Sequence, residues 1–133
     1  SQTFSANKIH KRLNQDMVNL SVNTIYNYLK FFENACLIYQ VKREDLQGKR
    51  ILKYDEKYYL CDLGFRQAII GNNQRDITHV IENIVYLELL RRGYEITIGK
   101  VDNLEVDFVC KKQNKLIYIQ VSYLLASEET VEI

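Results

Sequence analysis

The chain has 133 residues, 47% of them hydrophobic and 26% charged, a composition that supports one compact domain or two small packed ones and excludes a disordered chain. Its net charge is only +1, but residues 1–70 carry 11 Lys/Arg against 7 Asp/Glu and residues 71–133 carry 7 against 10, so a basic half suited to phosphate precedes an acidic half suited to a metal. No apolar run approaches the roughly 20 residues that cross a bilayer, and no basic-then-apolar leader precedes a cleavage site, so a cytoplasmic protein without membrane contact is expected.

Ser5 can cap a first helix over 6–13, in which Ala6, Ile9 and Leu13 share a face. Ser21 can cap a second, where Val22, Ile25, Tyr26, Leu29, Phe32 and Cys36 recur at helical spacing. The opposite face of this second helix carries Asn23, Thr24, Asn27 and Lys30, polar groups able to meet nucleic-acid backbone or base edges, or simply solvent. Two β-rich stretches follow, 37–43 and 57–61, on either side of a loop containing Gly48 and the segment 50–54. Helix, helix, two-stranded hairpin is the order of a winged-helix segment, assigned here to residues 1–70. Its wing carries Lys42, Arg43, Lys49, Arg50, Lys53 and Lys57, interleaved with Tyr54 and Tyr58 and diluted by Glu44, Asp45, Asp55 and Glu56. Each of these cations that neutralised a phosphate would add salt-dependent affinity for DNA, although charged hairpins also serve as solvated surfaces or protein contacts.

Asp62-Leu63-Gly64-Phe65-Arg66 and Gly71-Asn72-Asn73-Gln74 read as a linker region around a short helix, with a boundary near residues 71–76. From Thr78 to about Arg92 the pattern is helical and apolar nearly all round, stopped by Gly93, which predicts a mostly buried helix. The period then becomes two. Alternation over Glu105-Val106-Asp107-Phe108-Val109-Cys110 predicts Val106, Phe108 and Cys110 on one face and Glu105, Asp107 and Val109 on the other. Lys111-Lys112-Gln113-Asn114 reads as a turn, and 115–121 as a buried apolar strand interrupted by Gln120. The three cysteines, Cys36, Cys61 and Cys110, lack metal-ligand or redox spacing and are expected as reduced core residues. His10 and His79 are isolated, and Ser122 has no base visible nearby in sequence.

Two carboxylates in apolar elements, Glu82 and Asp107, call for partners, because burying an ionised carboxylate is costly unless it is paired, hydrogen-bonded or bound to a cation. A magnesium or manganese ion held by Glu82, Asp107 and the Gln120 oxygen would satisfy both. Pairing with Arg or Lys, or with backbone N–H groups, is the alternative.

The run from Glu82-Asn83-Ile84-Val85-Tyr86 to Arg92-Gly93-Tyr94, then Glu105-Val106-Asp107-Phe108-Val109 and Ile117-Tyr118-Ile119-Gln120-Val121, resembles the C-terminal domain of a large group of prokaryotic AAA-type ATPases. Thr24-Ile25-Tyr26-Asn27-Tyr28-Leu29 and Tyr58-Tyr59-Leu60-Cys61-Asp62-Leu63-Gly64 resemble the segment that joins that domain to the ATPase core. The resemblance implies an α+β or α/β chain in which the winged-helix segment is followed, over 71–133, by an incomplete core similar to PD-(D/E)XK restriction endonucleases. It matches Glu82 to the helix acid, Asp107 to the aspartate, Gln120 to the Glu/Gln position and Ser122 to the lysine.

A serine cannot supply the cation that activates water and offsets charge developing on phosphate. Replacement by Lys115, Lys111 or Lys112 is the remaining route, with the latter two placed in the turn. A nucleic-acid-binding or substrate-recognition domain with a degenerate nuclease site is therefore expected, ahead of a metal-dependent DNA nuclease or a protein-interaction domain. An N-terminal ATPase domain of the same protein is the implied partner. The five glycines nowhere form a phosphate-cradling G-x-x-x-x-G-K-[ST] loop, so no cofactor is expected in this segment apart from that metal. The chain opens on a helical pattern and closes on Glu128-Glu129-Thr130-Val131-Glu132-Ile133 without a stop signal, which reads as a piece of a longer protein.

Overall fold

The computed structural model describes residues 5–53, 56–71 and 77–123. Tyr54 and Asp55 of the expected wing, residues 72–76 of the expected linker and the terminal acidic run lie outside them. Among the described residues the chain is a mixed α+β structure of four helices and two sheets.

Helices α1 (Ala6–Gln15) and α2 (Val22–Asn34) begin where their caps dictate: the Ser5 hydroxyl accepts from the Lys8 N–H, and the Ser21 hydroxyl from the Thr24 N–H. They pack on each other, with Ala6 and Ile25 buried. Strand β1 (Ile38–Val41) then pairs antiparallel with β4 (Lys57–Leu60) in a separate two-stranded sheet. Between them the chain does not form a free wing. At the exposed Lys42 it passes from one sheet to the other, and β2 (Arg43–Asp45) and β3 (Arg50–Ile51) join a five-stranded sheet in the order β3-β2-β5-β6-β7.

Helices α3 (Leu63–Ile70) and α4 (Ile77–Arg91) lead to β5 (Glu95–Val101), β6 (Leu104–Lys112) and β7 (Lys115–Ile119). β2 lies parallel to β5, and the other pairings are antiparallel. The β6–β7 turn is only Gln113-Asn114, so Lys111 and Lys112, expected in the turn, are the last residues of β6.

Five aspects of packing differ from simple periodicity. The core draws on residues from either side of position 71: Val41 and Tyr59 pack with Tyr86, Leu89, Ile98, Phe108 and Cys110. Tyr59 and Tyr86 stack with centroids 4.5 Å apart, and Phe108 lies tilted against both. Helix α4 turns Glu82, Asn83, Tyr86 and Leu89 inward and leaves Ile84 half exposed, because the residues facing β4 and β6 are chosen by polar partners as much as by hydropathy. Strand β7, expected to be buried, exposes Leu116, Ile117 and Tyr118, since it is the last strand of its sheet among the described residues. Of the cysteines, only Cys110 is fully buried; Cys36 is exposed at a positive-φ position after α2.

The fifth difference is a bulge. Thr97 pairs with Val109 and Gly99 with Val106, which leaves Asp107 and Phe108 together opposite Ile98. Two residues against one breaks the alternation. Val106 and Val109 now share a face, the one on which Gly99 sits, while Glu105, Phe108 and Cys110 share the other. Gly99 is required there: a Cβ would stand 2.9 Å from a Val109 methyl, 3.0 Å from Leu46 and 3.1 Å from Val106. Gly99→Ala is expected to destabilise the fold by about 1–3 kcal/mol through overpacking. Equilibrium urea unfolding measures it, and an unchanged midpoint would show that the sheet face can spread.

Candidate functional site

The expected acids do come together, with a group that sequence reasoning placed on the surface. Glu82 projects from α4, and Glu105 and Asp107 from β6 beside the bulge. Lys57 enters from β4. Its ammonium donates to Glu82 Oε1 at 3.0 Å and lies 2.6 Å from Glu105 Oε1. Arg43, from β2, holds the other Glu105 oxygen at 2.6 Å, and the Tyr59 hydroxyl donates to Glu82 Oε1 at 2.5 Å. Lys57, Glu82 and Asp107 are each only 5–6% exposed. Lys57 and Arg43, read from sequence as wing cations, are therefore turned inward.

Asp107 is tied to the end of β7. The Val121 N–H donates to Asp107 Oδ2 at 2.8 Å, and the Asp107 N–H to the Gln120 side-chain oxygen at 3.4 Å. The exposed Ser122 follows. Of the lysines expected to replace the one missing at Ser122, Lys111 is bound to Glu44 at 2.8 Å, Lys112 donates to the Arg92 carbonyl, and Lys115 is exposed. None of these three pairs with Glu82, Glu105 or Asp107; Lys57 does.

The electrostatics follow from burial and from this pairing. Burial pushes the Glu105 carboxyl up, but Lys57 and Arg43 outweigh it and hold it below the usual range. Burial also raises Asp107, and Glu82 and Glu105 add to the rise; the Val121 N–H and Lys57 oppose it without cancelling it. Burial and the neighbouring Glu82 push the Tyr59 hydroxyl far up, so it stays a donor.

The donor set does not fit a divalent cation as it stands. Glu82 Oε1 already accepts from Lys57 and Tyr59, the Gln120 oxygen from Asp107's own N–H, and Asp107 Oδ2 from Val121. Among the described residues no group of three His, Cys, Asp or Glu is disposed to hold a metal ion.

The expected nucleic-acid residues divide. Asn23, Asn27, Lys42, Lys49 and Lys53 are exposed. Lys30 pairs with Glu33, Arg50 lies 3.6 Å from Asp45, and the Thr24 hydroxyl shares a hydrogen bond with Ser21. Sequence periodicity put Phe32 on the apolar face of α2, but Phe32 is 45% exposed and forms, with Tyr28 and Phe31 at 50% and 64%, an aromatic stripe that the periodicity did not predict. Their i, i+3, i+4 spacing was the available signal.

Two predictions follow from the acid cluster. Lys57→Met leaves the buried Glu82 without its cation and the partly buried Glu105 with Arg43 alone, and is expected to cost about 3–5 kcal/mol, read as a fall in the urea midpoint. A loss under 1 kcal/mol, roughly the scale of exposed pairs, would mean that the acids find other partners. For Asp107, the folded-state pKa lies above the ordinary 3.8, so its contribution to stability is complete below that value and lost as pH rises through the folded pKa. Glu105 has the opposite sign: its contribution is present above 4.5 and lost as pH falls through its lowered folded pKa. Asp107→Asn should therefore gain stability relative to wild type from about pH 3 to about pH 7. A constant difference in unfolding free energy across that window would show that Asp107 ionises without penalty.

No helix among the described residues is long and apolar enough to cross a membrane. An uncharacterized protein of Haemophilus influenzae is 40% identical over 122 residues, covering 92% of this chain and 30% of its own length. Uncharacterized protein MJ1544 of Methanocaldococcus jannaschii is 34% identical over 127 residues, covering 92% of this chain and 27% of its own. The chain thus spans less than a third of these relatives. No solved structure is a significant match. The profile of a domain of unknown function, DUF8612, matches residues 1–76, more than half of the chain, and the chain belongs to that family.

Proposed function

We propose that the chain is a non-cleaving recognition domain attached to an AAA-type ATPase, with nucleic acid as its ligand. The observation that carries the non-cleaving part is the Lys57 ammonium, held by both Glu82 and Glu105 and almost wholly buried. A catalytic lysine must present a donor to water or phosphate at the reacting centre. Lys57 directs two of its three N–H donors to protein carboxylates, and its side chain is 6% exposed. The fold reading behind the proposal is that α1, α2 and the β1–β4 pair make a winged-helix segment with β2 and β3 inserted between the wing strands. In the same reading, α4 with β5, β6 and β7 makes a restriction-endonuclease-like core.

For binding, α2 offers exposed Asn23 and Asn27 beside Tyr28 and Phe31. Polar groups contact backbone and aromatic rings stack on unpaired bases, while Lys42, Lys49 and Lys53 supply exposed charge. If about three phosphates are engaged, affinity for single-stranded DNA falls roughly twenty-fold between about 50 and 200 mM salt. Fluorescence anisotropy without divalent ions measures this, and Lys49→Glu with Lys53→Glu should flatten the slope. Absence of binding at low salt would remove nucleic acid as the ligand.

Cleavage is tested separately, on plasmid in magnesium and in manganese, beside the Glu82→Ala/Asp107→Ala double variant. No nicking is expected. Nicking lost in the variant would make Lys57 a migrated catalytic lysine and the domain a nuclease.

One observation favours a second reading. The Tyr28–Phe31–Phe32 stripe is apolar and the neighbouring Lys30 is paired with Glu33, a surface suited to protein contact. On that reading α2 docks another protein, and Phe31→Ser abolishes the association while leaving any DNA affinity unchanged.

A further inference from the structure

The acids that would hold a divalent ion in a nuclease-like centre are instead gathered around side-chain cations. Glu82, Glu105 and Asp107 bring three carboxylates from α4 and β6; Lys57 and Arg43 bring two cations from β4 and β2. Oxygen atoms from two elements converge on one positive centre, which is what a metal site does. Here that centre is an ammonium with its own tether. It reaches Glu82 at 3.0 Å and Glu105 at 2.6 Å, and its side chain is 6% exposed.

We propose that Lys57 is a built-in replacement for a divalent cation: its ammonium occupies the place between Glu82 and Glu105 that an ion would otherwise take, and the chain carries its own counter-charge instead of recruiting one. Three features of the site fit the substitution. The cation comes from a strand outside the α4–β5–β6–β7 run, so it arrives by tertiary packing, independently of the strand that would carry a motif lysine. Tyr59, two residues along β4 and on the same face, gives Glu82 a neutral donor, which orients the carboxylate toward Lys57. Arg43 fills the second Glu105 oxygen, so that carboxylate has no oxygen left unpaired for an incoming ion.

Loss of Lys57 changes this balance. With Lys57 replaced by a neutral side chain, Arg43, bound to Glu105, is the cation of the cluster that remains beside three carboxylates, and the surplus of negative charge rises from one to two when all are ionised. That surplus matches a divalent ion, and the hole left by the ammonium lies between two carboxylate oxygens.

Manganese is the probe, because its binding is read directly by electron paramagnetic resonance. Wild-type protein is expected to bind no manganese at the cluster and to show no shift in Tm at about 1 mM MnCl2. Lys57→Met is expected to bind it, with Tm rising by at least about 3 °C on addition. Lys57→Arg, which keeps the charge, should behave as wild type. Further substitution of Glu82→Gln in the Met variant should abolish the response.

Manganese bound by wild type and lost with Glu82→Gln overturns the proposal, as does a folded Lys57→Met protein that ignores the ion. Should Lys57→Met fail to fold in metal-free buffer, refolding in manganese supports the idea. Failure in both buffers counts against it, because the acids would then need more than a cation. The DNA-binding experiment is run without divalent ions, so its failure and the failure of this proposal are separately visible.

Discussion

An ammonium buried between two carboxylates costs several kcal/mol of desolvation per ion, and only close, well-satisfied geometry returns it. Around Lys57 that geometry fixes where three elements stand. Strand β4 must bring its inward face to α4 so that Lys57 meets Glu82 while Tyr59 stacks on Tyr86. Strand β6 must present Glu105 from the side of Phe108, and β2 must lie where Arg43 reaches the second Glu105 oxygen. The aromatic core and the ionic cluster are thus adjacent layers of one contact. Displacing β4 would unpair charges and expose rings together, which makes the contact more cooperative than either layer alone.

Much of the local structure was legible. Ser5 and Ser21 announce helix starts because a hydroxyl there satisfies an N–H that the helix leaves free. The α4 helix and the β6–β7 hairpin follow from period, and Glu82 and Asp107 stood out because acids in apolar runs need partners. The alternative of pairing with Lys and with a backbone N–H is the arrangement that Lys57–Glu82 and Val121–Asp107 adopt. Strand β5 could have been found from the alternation of Ile96 and Ile98.

The rest depended on distant neighbours. Lys57 is 25 residues from Glu82, and nothing local distinguishes it from the exposed Lys53. Arg43 reads as a wing cation until β2 is known to lie in the sheet that contains Glu105. The bulge at Asp107-Phe108 defeats alternation because an extra residue carries no residue-type signature here. The exposure of β7 is set by its edge position, which no property of Leu116, Ile117 or Tyr118 reveals.

Asn83 gives the small β1–β4 sheet its limit. Its side-chain oxygen accepts from the Leu60 N–H at 2.8 Å and its amide donates to the Leu60 carbonyl at 3.0 Å, the two bonds that a neighbouring strand would make. An open strand edge is a template on which other chains can pair and aggregate. By answering both backbone groups of Leu60 with one amide, α4 closes that edge at its end, so a two-stranded sheet of four residues per strand persists without recruiting a third. The same helix that supplies an acid to the ionic cluster thereby guards the protein against edge-to-edge association at β4, and a change at Asn83 would surface first as a loss of solubility.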